Sequence, residues 1–109
     1  MSAQNQQEAP IACNLSAQDL SVRQVENAEI MRGIQTTKEL SDGYAVQFPG
    51  SAEWAKMLLQ FVVQERACCP FFTFELHFEA QEGPAWLYIK GPEGAKEFIQ
   101  EMIISSAKD

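Results

Sequence analysis

The residues able to do chemistry cluster in one short run, Glu65-Arg66-Ala67-Cys68-Cys69-Pro70. Adjacent thiols beside a carboxylate suit three kinds of work. They can bind a soft ion, exchange a disulfide, or pair a nucleophile with a base. A third cysteine, Cys13, and the single histidine, His77, stand far off in sequence. The chain has no C-x-x-C pair and no zinc-finger spacing of Cys and His.

A helix turns 100° per residue, and that step tests whether the run converges. Counted from Trp54, the apolar side chains spread over an arc centred near zero. Glu65 falls inside the arc, one turn after Phe61. Cys68 and Cys69 fall at its two edges. A carboxylate and two thiols thus meet on the inner face of a helix end. A buried carboxylate is costly unless it is paired or protonated. Glu65 is therefore either part of a site or an ordinary ion-pair partner of Arg32 or Arg66.

Cys68 and Cys69 carry three competing readings. They are small buried hydrophobes, since unbridged Cys is among the most buried residue types. They are ligands for Hg(II), As(III) or Zn(II), since thiolates select soft ions. Or they are a redox pair, which is the weakest of the three. A disulfide between neighbours closes a strained eight-membered ring, and the negative end of a helix opposes thiolate formation. A soft-ion site is incomplete with two thiolates and needs Cys13, folded back from the N-terminal arm, or a second subunit. Glu65 then hydrogen-bonds or deprotonates the ligands.

His77 lies on a strand, on the face opposite Phe72, Phe74, Leu76 and Phe78. It shares that face with Glu75 and, across a hairpin, with Trp86 or Tyr88. It is a structural side chain or a distant supporting group of the site. Two large aromatics on a nominally wet face suggest a cover, either the N-terminal helix or the partner in a homodimer.

The elements that position these residues are legible in the pattern. Residues 1–10 read as a flexible tail, and 11–109 as a single α+β domain. Ile11–Leu15 reads as a short strand or an extended arm. Ser16 or Ser21 caps a helix that runs to about Arg32 and stops at Gly33, with Leu20, Val25, Ala28 and Met31 inward. Thr36–Leu40 and Tyr44–Phe48 flank Asp42-Gly43, a hairpin signal. Ser51 caps a helix over 52–67, with Trp54, Met57, Leu58, Phe61 and Val62 inward. Phe71–Glu79 and Ala85–Lys90 alternate as half-buried strands around the turn at Gln81-Glu82-Gly83-Pro84. Gly91-Pro92 opens a last helix with Ala95, Phe98, Ile99, Met102 and Ile103 inward.

The order after the first helix is strand, strand, helix, strand, strand, helix. Two helices on one face of a four-stranded antiparallel sheet bury both apolar stripes. Moving the last strand of a ferredoxin-like βαββαβ unit to its start gives the same order. The expected fold is a two-layer α+β sandwich of permuted ferredoxin-like type, plus an N-terminal helix.

Composition closes off several functions. The chain has 109 residues, enough for one core and one domain. Lys and Arg total 8 against 15 acidic residues, a net charge of −7. No basic run exists to displace phosphate counterions, so nucleic acid and anionic membrane surfaces are disfavoured partners. No apolar run approaches the ~20 residues of a membrane span. The opening Met1–Pro10 is polar, with no basic start and no apolar middle, which is not the pattern of a signal peptide. A cytoplasmic location is the expectation, with all three cysteines as thiols.

The segment from Glu65 to Leu76 resembles the E-R-x-C-C-P-F-x-x-F signature of a family of small uncharacterised bacterial proteins. Ile11-Ala12-Cys13-Asn14-Leu15-Ser16 is similar to the family's start. Asp42-Gly43-Tyr44 and Phe48-Pro49 are similar to its hairpin, and Gly91–Phe98 to the opening of its last helix. Similar E-R-x-C-C-x-F sequences occur in proteins associated with bacterial mercury and heavy-metal resistance. The resemblance favours a metal-binding role and brings Cys13 into consideration with Cys68 and Cys69.

Three functions remain. The first is a cytoplasmic module for a soft metal or metalloid, held by Cys68, Cys69 and Cys13 with Glu65 in support. The second is a non-catalytic interaction domain, a homodimer through Trp86 and Tyr88. The third is a thiol enzyme with Cys68 or Cys69 as nucleophile and Glu65 or His77 as base. It ranks last, because no oxyanion hole or substrate pocket is visible.

Overall fold

A tight turn at Ser41-Asp42 joins the first two strands of the sheet, as the Asp-Gly pair predicts. The structure, a computed structural model, describes residues 17–104. The tail read at 1–10, the arm at Ile11–Leu15, Cys13 and Ser16 lie outside the described residues. In chain order the elements are α1 (Ala17–Met31), β1 (Thr36–Leu40), β2 (Gly43–Phe48), α2 (Ala52–Cys68), β3 (Thr73–Phe78), β4 (Ala85–Lys90) and α3 (Ala95–Ile99). A π-helical turn, Gln100–Ile104, follows α3 directly.

The four strands form one sheet in the order β1-β2-β4-β3, every neighbouring pair antiparallel. The same order results when the last strand of a βαββαβ unit moves to the start. The architecture is α+β, an antiparallel sheet with helices packed on it. Phe48, Leu58, Phe61, Leu87 and Ile89 are fully buried where the two layers meet. Gly43 is needed at the β2–β4 ladder, because a Cβ there would collide with the Ile89 carbonyl oxygen. Edge strand β1 (Thr-Thr-Lys-Glu-Leu) is almost wholly exposed, and its charges blunt the edge against unwanted pairing.

Helix α2 begins where Ser51 Oγ accepts a hydrogen bond from the Trp54 N–H at 3.2 Å. Its buried side chains are Leu58, Phe61, Glu65 and Cys68. They span about 80° of the helix surface, and Met57 falls just outside that span. Met57 is 40% exposed, so the inward position expected for it is corrected. Val25 on α1 is corrected likewise, at 63% exposure. Among the described residues of α1, Met31 is buried as expected, and Asn27, one turn before it, is buried as well.

Further expectations change. Phe78 alternates with the core positions of β3 but is exposed, because it closes the free end of an edge strand. Phe71 and Phe72 are buried before β3 begins, so the core reaches into the loop after Pro70. The last helix starts at Ala95, not at Gly91-Pro92. Gly94 precedes it with φ 95°, a conformation open to glycine. Buried side chains then fall at Ala95, Ile99 and Ile104, a spacing of four and then five. The wider π turn, Gln100–Ile104, accounts for the step of five.

Candidate functional site

Glu65, Cys68 and Cys69 meet at the C-terminal end of α2. Glu65 is 3% exposed, Cys68 4% and Cys69 3%. Cys69 has left the helix (φ −126°, ψ 79°), although its N–H still donates to the Glu65 carbonyl at 2.7 Å. Pro70 forces this exit, since it disfavours helical geometry in the residue before it. The exit swings Cys69 inward beside Cys68, and their Sγ atoms lie 3.6 Å apart. The Cys69–Pro70 peptide is trans.

The described partner of the Glu65 carboxylate is Asn27 on α1, whose Nδ2 donates at 3.2 Å. Arg32 and Arg66, the partners weighed from sequence, are exposed. Asn27 was missed in the sequence. Its signal was its position one turn before Met31, a polar residue on the stripe that buries Met31. The contact joins α1 to the end of α2 through two buried polar side chains.

The two sulfurs differ in state. Cys69 is a thiol, whereas Cys68 is disulfide-bonded. The vicinal pair is thus not joined to itself, in keeping with the strain of such a ring. The expectation that Cys68 is a thiol is corrected. Cys13 lies outside the described residues. Among the described residues, no three His, Cys, Asp or Glu side chains converge as a metal-holding group.

His77 sits on the far face of the sheet from the cysteines. It is exposed, 3.2 Å from Glu75 Oε1, and its ring lies 4.5 Å from that of Tyr88. The Lys90 ammonium reaches Glu75 Oε2 at 3.0 Å. That hydrogen bond holds the Glu75 carboxyl below the ordinary carboxylate range and raises Lys90. Trp86 donates to Glu79 at 2.9 Å, and the Lys38 ammonium lies 4.8 Å above its ring. The two aromatics are half-covered by their own neighbours. The N-terminal helix does not provide that cover: α1 packs on α2 and the π-helical turn.

Apart from Phe78 on β3, the large exposed apolar side chains among the described residues lie on the helices. Leu59 and Val63, one turn apart on α2, are 57% and 60% exposed. A groove of about 200 Å³ runs between α1 and α2, bordered by Glu26, Ile30, Met57 and Gln64. No helix among the described residues is long and apolar enough to cross a membrane.

Compared with protein-family models, curated proteins and solved structures, the chain matches none.

Proposed function

We propose that this chain is a small cytoplasmic module that binds a soft metal or metalloid ion through vicinal thiolates. Cys68 and Cys69 are the primary ligands and Cys13 the third. Glu65 accepts the protons the thiols release, or hydrogen-bonds the ligands once formed. His77, on the opposite face, takes no part.

The observation that carries this reading is the 3.6 Å separation of the two buried sulfurs beside a buried carboxylate. Metal–sulfur bonds of about 2.3 Å at a tetrahedral angle place two bound sulfurs about 3.8 Å apart. The pair therefore needs little movement to share one ion once Cys68 is reduced. Thiolates select Hg(II), As(III) and Zn(II) over hard cations. The same burial argues against a thiol enzyme, because a nucleophile 3–4% exposed offers a substrate no approach.

Native mass spectrometry of the reduced protein, titrated with Hg(II), As(III) and Zn(II), tests the proposal. Wild type will take up one ion per chain, and a Cys68→Ser/Cys69→Ser variant none. Equal uptake by both proteins, or uptake by neither, overturns it. The same spectra address a second reading, a homodimer with structural cysteines. The specific observation favouring it is the exposed apolar pair Leu59 and Val63 on α2, a different surface from the outer sheet face that carries Trp86 and Tyr88. A monomer mass at every protein concentration removes that reading.

A further inference from the structure

The helix layer carries a groove that neither the sulfurs nor the sheet accounts for. It lies between α1 and α2 and holds about 200 Å³. Ile30 and Phe61 line its inner side. Met57 and Gln60 of α2 form one wall, and Glu26 and Glu29 of α1 form the other. Met57 stays 40% exposed because α1 stands beside this flank of α2 without closing over it. We propose that the groove is the docking site for a basic amphipathic helix of another protein. The proposal uses no sulfur and stands apart from the ion-binding reading.

Shape selects a helix. Both walls are helical, so a third helix laid between them sets its ridge of side chains into the gap. The volume suits one large apolar anchor inserted beside Met57. Apolar surface continues on both sides of that anchor. By the 100° count Val22 shares a face of α1 with Glu26 and Glu29, and it is 54% exposed. Val63, next to the Gln60 wall, is 60% exposed. Neighbouring turns of the guest rest on these two side chains.

Charge selects a basic guest. Glu26 and Glu29 are the ionised side chains of the lining, which contains no Lys or Arg. Both are exposed and stand three positions apart, a spacing that Lys or Arg on successive turns of a guest helix can match. The net charge of −7 adds a long-range attraction for a cation and a repulsion for a second copy of the chain. A symmetric pair joined at this groove would also bring the same carboxylates together. On the outer sheet face the charges are already matched within the chain, Glu75 with Lys90 and Glu79 with the Trp86 indole N–H.

The probe is a synthetic peptide of Leu and Lys with Leu at helical spacing, and its control carries Glu in place of Lys. Fluorescence anisotropy measures binding to the full chain, and methionine methyl NMR locates it. The Lys peptide will bind and the Glu peptide will not. The Met57 methyl signal will shift, while that of Met31, fully buried, will stay in place. These two readouts need no substitution. Glu26→Lys/Glu29→Lys will weaken binding about tenfold. Met57→Glu separates docking from general attraction. It adds a negative charge, so a purely electrostatic contact tightens, whereas insertion into the groove weakens. Equal binding of the Glu peptide, an unmoved Met57 signal, or tighter binding by Met57→Glu overturns the proposal. A Met57 signal that shifts with protein concentration alone, together with a dimer mass, assigns the groove to a second copy and overturns it as well.

Discussion

Phe61→Ala will destabilise the domain by about 3–5 kcal/mol, the range for truncating a buried aromatic. Phe61 is fully buried on α2, one turn before Glu65. Its ring meets Phe74 of β3 edge-on, with centroids 6.3 Å apart. The side chain therefore ties the helix that bears the site to the edge strand that follows it. Its loss removes apolar burial and leaves a cavity between two rigid layers, which cannot collapse without moving α2. Domains of this size have total stabilities of about 5–15 kcal/mol, so the variant approaches the threshold of folding. Urea titration followed by circular dichroism measures the change. A loss below about 1 kcal/mol would mean that α2 closes onto β3 when the ring is gone.

Asn27→Leu will cost about 1.5–3 kcal/mol, the range for a hydrogen bond to a charged group. The cost arises at Glu65, because the amide is one of the groups that make a buried carboxylate tolerable. Glu65→Leu alone leaves the Asn27 amide without that acceptor and is also destabilising. The double variant Asn27→Leu/Glu65→Leu replaces both polar groups with apolar ones. It will lose clearly less than the two single losses combined, since matched apolar replacement of a buried pair can be near neutral. Urea melts of the four proteins close the cycle. Strict additivity would show that the 3.2 Å contact carries no coupling and that each group is satisfied elsewhere.

Most of the frame could be read from pattern, because burial on a sheet or helix leaves a period in the sequence. Alternation in β4 correctly placed Leu87 and Ile89 on one face, which is the buried one. The 100° count correctly placed Glu65 and Cys68 inside the core, whereas Cys69 is buried because it leaves the helix. What escaped depends on neighbours that periodicity does not see. Asn27 reads as a surface residue until α2 presents a carboxylate to it. Phe78 keeps the parity of a core position, but parity does not say where the covering layer ends. The π turn breaks the 3.6-residue period that the last stripe was read with. The oxidation state of Cys68 leaves no trace in spacing at all.

The strand order has a consequence for how the molecule comes together. Hairpins β1–β2 and β3–β4 are each closed by short turns, while the β2–β4 seam joins residues about forty positions apart. Local pairings form on the scale of microseconds, and distant ones must first overcome loop-closure entropy. Helix α2 is the connector that spans this gap, and the carboxylate and sulfurs sit at its far end. Sealing of that end belongs to the late, non-local stage of folding. Until the seam zips, the carboxylate and the sulfurs at that end face water, and only the finished sheet closes the core over them.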